Sequence, residues 1–440
     1  MPARPVETTV ARLSTYLSTQ VRRLVLSRAG RSGIDLTQLD RVPDSLSWPL
    51  RRDGVAPGER LGQLREREPV AKLTSFLGMN VWVVTGQAEV REVLADTTSY
   101  SNDIRPFVGR SGSTTDGDIG GLGFTDPPEH TRLRKLLTPE FTMRRLERLR
   151  PRIGDIVAGQ LDEMERRGAS GEPVDLVPSF AFPVPFLVIC DLLGLPDEDR
   201  DTFRQLGSAR FDVTTGGTGV FGAVSGSRSF LMEATRRQRS EPGPGLIGQI
   251  IREHGDEIND FDLAGLADGV FTGGLETSAS MLALGTAVLL DHRDDYRAVA
   301  DSPEVVERTV EELLRFLSVV QIAFPRFPKR DLEVAGRLVR KGDVVICHLP
   351  GANRDGRLGE ALDDFDAGRP AVPHLAFGHG FHRCVGAELA RMELRAAFPA
   401  LARRFPDLTV ASDRLDYREM SIVFGVQSLP VHLRAGAALR

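Results

Sequence analysis

The stretch Phe377-Gly378-His379-Gly380-Phe381-His382-Arg383-Cys384-Val385-Gly386 decides the fold of this 440-residue chain. A lone cysteine lies on a glycine-rich loop, and a strongly helical sequence follows it directly. Because the backbone N–H groups at a helix N-terminus lower the pKa of a nearby thiol, we expect Cys384 to be a thiolate. Gly378 and Gly380 allow backbone conformations that other residues resist, and Gly386 allows another group to approach closely. The pattern is typical of a thiolate that binds a metal.

Two other interpretations of Cys384 stay open from the residues alone. Cysteine is often a small buried hydrophobic residue with no chemical role. A zinc site is the second alternative, since His374, His379 and His382 lie within the same short segment as Cys384. Zinc sites favour paired ligands at short, regular spacing, and no second pair follows, which counts against zinc.

The segment resembles the cysteine-ligand loop of the cytochrome P450 family, Phe-Gly-x-Gly-x-His-x-Cys-x-Gly, and every fixed position is met. The resemblance spans about residues 45–435. It implies a mainly α fold with small β-sheets, in which a single domain, 46–440, encloses haem b after an N-terminal extension, 1–45. It further implies that Cys384 is the axial iron ligand, with Phe377, Gly378 and Gly386 beside the cofactor.

The rest of the chain shows long helical periodicity and few strand signals. Helices are predicted at 143–167, 262–291, 304–318 and 386–404, and short strands at 81–85, 332–334 and 344–346. The last segment, 424–431, looks like the C-terminal hairpin of the family.

Gly273-Gly274-Leu275-Glu276-Thr277 lies in the middle of the apolar segment 262–291, where glycine is unfavourable for a helix. A close crossing of two helices would explain the glycines alone. With the cysteine loop present, the segment resembles the helix that crosses the oxygen-binding face. There Gly273 and Gly274 leave room for O₂ and the helix opens locally. Thr277 is then the alcohol beside the oxygen and Glu276 the acid that relays protons.

Haem carries two propionates, which need positive or hydrogen-bonding partners when buried. His130 and Arg134 lie four residues apart on one face of a helix that a proline pair begins. The resemblance gives the propionate role to both, and also to Arg326 and His382. Each of these side chains taken singly would be interpreted as an ordinary surface group.

Glu312 and Arg315 form an i,i+3 pair, which has little meaning alone. In the family this pair joins an arginine of a later loop, here Arg369, in a structural triad. Two departures from the family pattern leave the detail of that loop open. Gly356 replaces a proline, and Ala361-Leu362-Asp363 replaces Asp-Pro-Asp.

Composition indicates an ordinary globular protein of 440 residues with a net charge of −5, and not a nucleic-acid binder. The three scattered cysteines favour a reducing compartment, and we expect a cytoplasmic monomer with no membrane span. The periodicity of 10–25 predicts a helix packed on the body, with a transit-like or interfacial helix as the alternative.

The sequence has no flavin or dinucleotide fingerprint, so electrons must come from a partner. The resemblance implies a ferredoxin with an NAD(P)H-dependent ferredoxin reductase, for which a cluster of basic residues offers a docking face. That cluster is Arg132, Lys135, Arg144, Arg145 and Arg148.

The implied activity is insertion of one oxygen atom of O₂ into a hydrophobic small molecule, in secondary metabolism or in lipid, terpenoid or steroid hydroxylation. The expected pocket lining is 103–124, 203–221, Val270 with Phe271, 319–324 and 422–424. A peroxide-driven oxygenase and a non-catalytic gas sensor are the alternatives, and the intact Glu276-Thr277 pair counts against both.

Overall fold

The computed structural model describes residues 44–76, 79–103, 122–211, 219–418 and 421–434, the side chains of 45, 46, 76, 208–211 and 219–225 excepted. The predicted helix at 10–25 and most of the 103–124 loop lie outside the described residues. The protein is mainly helical with small sheets, as predicted.

The α-helices run in chain order as follows. They are Asp44–Ser47, Glu59–Arg67, Gln87–Ala95, Glu129–Leu137, Met143–Leu146, Arg150–Arg167, Pro183–Leu193, Asp197–Phe211, Gly219–Ser240, Leu246–His254, Asp260–Asp291, Arg293–Ala298, Pro303–Leu317, Leu349–Ala352 and Ala387–Arg404. The single helix predicted at 143–167 is wrong: a 3₁₀ turn at Glu147–Leu149 interrupts it. Pro151 explains the break, because proline fits the first turn of a helix but cannot continue one.

The helix Asp260–Asp291, called the long helix below, lies at the centre of the core. The Asn259 side chain accepts a hydrogen bond from the Asp262 N–H at 2.8 Å and so caps its first turn. The long helix is apolar and long enough to cross a membrane, but most of it is buried inside the protein. Its length therefore reflects a core position, with the post-cysteine helix, Ala387–Arg404, packed against it.

The strands are short and form several small sheets. They are β1 Arg52–Asp53, β2 Ala56–Pro57, β3 Val70–Phe76, β4 Met79–Val84, β5 Tyr100–Ser101, β6 Val174–Asp175, β7 Phe327–Pro328, β8 Leu332–Val334, β9 Arg337–Val339, β10 Val344–Cys347, β11 Thr409–Val410, β12 Asp416–Tyr417, β13 Val426–Ser428 and β14 Pro430–His432. The largest have three strands, in the orders β10-β4-β3 and β11-β14-β6. In the first, β10 runs parallel to β4 with Val345 opposite Trp82.

The C-terminal segment 424–431 is not one hairpin, which corrects the prediction. β13 pairs with β12, whereas β14 pairs with β11 and β6. Leu429, between β13 and β14, is fully buried, and its N–H donates to the Asp175 carboxylate at 2.9 Å. That bond ties the crossover to β6, so the two strands diverge into different sheets.

The predicted triad of Glu312, Arg315 and Arg369 is confirmed. Arg315 donates from two guanidinium nitrogens to the two Glu312 oxygens at 2.7 Å each, and Arg369 Nε donates to Glu312 Oε1 at 3.3 Å. Arg315 also donates to the carbonyls of Asn353 and Leu362, at 3.0 and 2.8 Å. Each nitrogen of the buried Arg315 guanidinium thus donates to an acceptor, as a buried ion pair requires.

Ala361 has a left-handed backbone with φ of 51°, in the loop that departs from the family pattern. For a residue other than glycine this conformation costs roughly 1–2 kcal/mol. Two bonds hold it in place: its carbonyl accepts from Arg369 Nη2 at 2.7 Å and from the Asp364 N–H at 3.2 Å. The loop therefore stores strain that a glycine would release.

We predict that Ala361→Gly raises the free energy of unfolding by about 0.5–1 kcal/mol, because the relief of strain exceeds the added backbone entropy of the unfolded chain. Urea denaturation followed by far-UV circular dichroism measures this. Ala371→Gly is the matched control in the same region. Ala371 is exposed and has no positive φ, so its replacement should destabilise slightly. Equal destabilisation by both changes would contradict the strain.

Candidate active site

The cysteine loop is a closed turn held by its own backbone. The Cys384 N–H donates to the Phe377 carbonyl at 2.9 Å, and the Gly378 N–H donates to Leu375 at 2.8 Å. Gly378 and Gly380 have φ of 69° and 68°, so both predicted glycine positions need left-handed backbone. A Cβ on Gly380 would also lie 2.8 Å from the backbone of Ala95. The loop is thereby fixed against the helix Gln87–Ala95.

Cys384 is exposed, yet desolvation by the protein around it raises the pKa of its thiol. Both observations hold when the sulfur faces a space that protein encloses. The Gly386 N–H donates to the sulfur, and the charges of Arg134, Arg383 and Arg391 also act to lower the pKa. These influences are weaker than burial, so the prediction of a lowered pKa is wrong for the thiol without a metal.

His374, one of the histidines of the zinc alternative, is engaged elsewhere. His374 Nε2 lies 3.1 Å from the Glu311 carboxylate, which also binds Arg391 at 2.6 Å. Within the part of the chain that the structure describes, no group of three or more His, Cys, Asp or Glu side chains converges on a metal position. Arg391 in turn stacks on the Phe377 ring at 4.7 Å, beside the cysteine loop.

The long helix exposes one narrow stripe at the level of its glycines. Gly269 and Gly273 are exposed, and a Cβ added at either would meet nothing within 4 Å. Thr277 follows one turn later, and its hydroxyl donates to the Gly273 carbonyl at 2.7 Å. A Cβ added at Gly274 would lie 3.1 Å from the Ile189 side chain, so this glycine allows close packing against Ile189. The long helix is continuous through this region, so the predicted local opening of the helix is wrong. The bond from Thr277 to the i−4 carbonyl leaves the α-helix intact.

Glu276 points toward the C-terminal strands. Arg418, just after β12, donates from Nη1 to Glu276 Oε1 at 2.8 Å. Burial raises the pKa of the Glu276 carboxyl, and the Arg418 charge opposes that rise. Glu276 and Thr277 are neighbours in sequence, but their side chains have different partners. The Glu276 carboxylate accepts from Arg418, whereas the Thr277 hydroxyl donates to the Gly273 carbonyl.

The four residues expected near propionates come from three separate segments. His130 is fully buried and neither ring nitrogen has a partner among the residues that the structure describes, while its ring centroid lies 4.3 Å from that of His382. Arg134 Nη2 donates to the Arg383 carbonyl at 2.8 Å, and buried Arg326 donates to Phe324 at 2.8 Å. Burial lowers the pKa of His130 to about 4 and that of His382 to about 3. Both rings are thus neutral at pH 7, and the positive charge comes from the arginines.

Sequence reasoning missed a second buried carboxyl, Glu393 on the post-cysteine helix. Glu393 is 2% exposed, its carboxyl bonds Ser278, next to Thr277, and one of its oxygens has no partner in the described part of the chain. Burial raises its pKa to about 8. The only sequence signal is a charged residue at a core-facing position of an amphipathic helix.

Two expected pocket residues belong to the core instead. Phe271 is fully buried with its ring 4.2 Å from that of Phe203, and Phe424 is buried under the Arg52 guanidinium, 4.4 Å away. In contrast, Phe324 and Ile422 are 47% and 40% exposed. Phe324 and Ile422 therefore stay accessible, as the expected pocket lining requires.

A mainly helical protein with a cysteine presented on a glycine-rich loop toward an enclosed space belongs to the class of haem-thiolate proteins. The family model "Cytochrome P450" matches residues 245–433. Cytochrome P450 165B3 of Amycolatopsis orientalis is 38% identical over 392 residues, which are 87% of this chain and 97% of that protein. Nocardicin C N-oxygenase of Nocardia uniformis subsp. tsuyamanensis is 37% identical over 88% of this chain and 98% of its own length.

Among solved structures, P450 StaH from glycopeptide antibiotic A47934 biosynthesis has a TM-score of 0.79 at 38% identity. The match covers 87% of this chain and 99% of that chain. The chain therefore belongs to the cytochrome P450 family, and it is a cytochrome P450 monooxygenase that uses haem b.

The residues of the site fit this cofactor. The thiol faces an enclosed space, the Gly269–Gly273 stripe leaves room, and buried His130 has two ring nitrogens without partners in the described ranges. An unpaired buried polar group is costly, so His130 needs a partner that the described residues do not supply.

We predict that Glu393 makes the wild type progressively less stable between pH 5 and pH 8 than it would be with a neutral side chain, because Glu393 is protonated when folded and ionised when unfolded over this range. Its stabilising proton is fully effective below its ordinary pKa of 4.5 and is lost as the pH rises through about 8. Glu393→Gln should remove this contribution and stabilise the protein at pH 8 relative to the wild type, by an amount on the order of a few kcal/mol. Urea denaturation of the holoprotein at both pH values measures it. Glu333→Gln, on the exposed side of β8, is the control and should follow the wild-type curve. Parallel slopes for wild type and Glu393→Gln would contradict a protonated Glu393.

Proposed function

We propose that the protein inserts one oxygen atom of O₂ into a hydrophobic small molecule during secondary-metabolite tailoring, with electrons from a separate ferredoxin. The observation that carries this proposal is the exposed stripe of the long helix, in which an alcohol, Thr277, follows two glycines with open space beside them. A gas sensor or a peroxide-driven enzyme has no need of a proton donor there. We also keep the division into an extension, 1–45, and a catalytic domain, 46–440, as a proposal.

In this proposal the Cys384 thiolate would bind the iron of haem, and haem, when bound, would supply the iron chemistry that activates O₂. The Gly386 N–H and the nearby arginines favour the sulfur as a thiolate once a metal replaces its proton. Gly378 and Gly380 shape the loop and Phe377 covers it. His130, Arg134, Arg326 and His382 hold the propionates, with charge from the two arginines and hydrogen bonds from the two histidines.

Proton supply is assigned to Thr277 and Glu276. The Thr277 hydroxyl lies at the edge of the open stripe, where it donates to the Gly273 carbonyl at 2.7 Å and can exchange that bond for one to a group in the stripe. Gly273 allows that group to approach the helix, and Gly274 allows the helix to pack closely against its neighbour. Glu276 is the acid that restores the proton to Thr277.

An apolar wall supports a hydrophobic substrate. Phe324 and Ile422 are exposed on neighbouring segments, joined by the Gln321 N–H donating to the Ile422 carbonyl at 2.9 Å. The buried Gln321 amide also donates to Leu50 and Ser421 carbonyls at 3.1 and 2.7 Å, which ties the backbone next to Ile422 to the body of the protein. We assign the two exposed apolar side chains to the lining of a site for a hydrophobic substrate.

The relatives support tailoring as the biological setting. StaH belongs to glycopeptide antibiotic biosynthesis, and the other relative is a nocardicin C N-oxygenase. From these relatives we assign this chain to the tailoring of a secondary metabolite, in the cytoplasm.

The ferredoxin face is smaller than the sequence indicates. Arg132 pairs with Glu129 and Asp262, at 2.7 and 2.5 Å, and both Arg145 and Arg148 pair with buried Glu140. Lys135 and Arg144 are exposed, with no ion-pair partner in the described ranges. Lys135 also lines a groove of about 510 Å³ with Thr138 and Phe381, beside the cysteine loop. We propose this groove and the two free cations as the docking site for an acidic ferredoxin.

We predict that Cys384→Ser abolishes the strongly red-shifted Soret band of the dithionite-reduced protein under carbon monoxide, because the alcohol cannot replace the thiolate. Cys190→Ser and Cys347→Ser are matched controls at buried cysteines and should keep the band. Loss of the band in either control, with retention in Cys384→Ser, would refute the assignment of the ligand.

We predict that Thr277→Ala diverts electrons to peroxide, because the proton donor is lost. With a ferredoxin and its reductase, peroxide released per reductant consumed should rise roughly tenfold or more. Thr277→Ser keeps the hydroxyl and is the control, expected to stay near the wild type. Unchanged peroxide release in Thr277→Ala would remove Thr277 from proton supply and favour the peroxide-driven or sensor alternatives.

A further inference from the structure

Arg418 bridges the C-terminal strands and the long helix. Its Nη1 donates to Glu276 Oε1 at 2.8 Å and its Nη2 donates to Ser280 Oγ at 2.5 Å. Glu276 and Ser280 are one turn apart on the same helix face, so one guanidinium spans both. Arg418 is in turn fixed by its own backbone N–H, which donates to the Gly425 carbonyl at 2.9 Å. A strand element therefore determines where the Glu276 carboxylate lies.

Gly425 makes this bridge possible. A Cβ at this position would lie 2.0 Å from Arg418 Nη2 and 2.8 Å from the central guanidinium carbon. The guanidinium thus passes directly over the Gly425 backbone. Gly425 is not among the residues with positive φ, so the space over its Cα, and not its backbone conformation, requires glycine.

The bridge is an enclosed ion pair. The side chains of Arg418 and Glu276 are 14% and 21% exposed. Burial acts against the charged form of Glu276, and within the described ranges Arg418 is the charged group that opposes it. On β12 the neighbouring titratable side chains are Tyr417 and the exposed Asp416, and on the post-cysteine helix Glu393 bonds Ser278. The arginines of the post-cysteine helix do not act on Glu276, and apart from burial the Arg418 charge does, so the ionisation of Glu276 depends on Arg418.

We propose that Arg418 is a positioning residue that anchors the Glu276 carboxylate beside β12 and β13 and favours its charged form. Protons destined for Thr277 are then taken up by Glu276 on the strand side of the long helix, away from the stripe. This inference rests on the proposed function, since it gives Glu276 the role of acid to Thr277.

The ion pair is tested without turnover, by infrared spectroscopy of the holoprotein against pH. The carboxylic C=O band that Glu276→Gln removes identifies the protonated Glu276. Arg418→Met should raise the midpoint of that band by about one pH unit or more, because the opposing charge is lost. Gly425→Ala should shift it in the same direction with the arginine still present, because the methyl group displaces the guanidinium. Arg418→Lys should restore part of the wild-type midpoint.

Arg404→Met is the matched control, since Arg404 also pairs with two side chains, Asp162 and Glu165, but lies on the outer end of the post-cysteine helix. It should leave the midpoint unchanged. An unchanged midpoint in both Arg418→Met and Gly425→Ala would overturn the inference. Gly425→Ala also keeps the test valid if Arg418→Met fails to fold.

The consequence for proton uptake is tested with O₂ as the probe. Dithionite-reduced protein is mixed with O₂, and the rate of return of the ferric Soret band is recorded against pH, in H₂O and D₂O. The midpoint of this profile should move in Arg418→Met by the same amount as the infrared midpoint. If the infrared midpoint moves and the rate profile does not, while Thr277→Ala changes the rate, the inference fails and the proposed function stands. If Glu276→Gln and Thr277→Ala also leave the rate unchanged, the proton roles of the proposed function fail, and the inference with them.

Discussion

The buried carboxylate of Glu312 is the constraint on which the site depends. Arg315 occupies both of its oxygens, and the same guanidinium donates to the Asn353 carbonyl at 3.0 Å. The Asn353 side chain then accepts from the Leu375 N–H at 2.6 Å. Leu375 begins the turn that closes on Cys384. Removing one partner of a buried pair typically costs about 3–5 kcal/mol, so a defect at Glu312 reaches the cysteine loop through three bonded residues.

The cysteine loop was predictable because its glycines and its lone cysteine stand at a fixed local spacing, with Gly378 and Gly380 before Cys384. The i,i+3 pair of Glu312 and Arg315 lies on one helical turn, whereas Arg369 was predicted only from the family resemblance. The interruption of the helix at Glu147–Leu149 was also within reach, since Pro151 marks it. Local rules predict such features because the chain neighbours that produce them are visible in the sequence.

Other features depended on contacts between distant parts of the chain. Arg418 and Glu276 are 142 residues apart, and nothing in either segment indicates the other. The predicted direction of the Cys384 pKa shift was wrong. The helix N-terminus, which lowers the pKa, is visible in the sequence, whereas the desolvation, which raises the pKa by more, is a property of the folded protein. The proton on Glu393 was missed for the same reason. Strand pairing failed at 424–431 because the partner of β14 is β6, more than two hundred residues earlier.

The space over Gly425 makes positions 418 and 425 a single unit of sequence variation. An arginine that reaches the long helix excludes every side chain at 425, whereas a shorter residue at 418 leaves that position free to vary. The pair should therefore change together among relatives, in the order arginine first lost and glycine then replaced. A larger residue that arises first at 425 would displace the guanidinium while it is still needed. The glycine thus restricts the mutational routes open to the C-terminal strands.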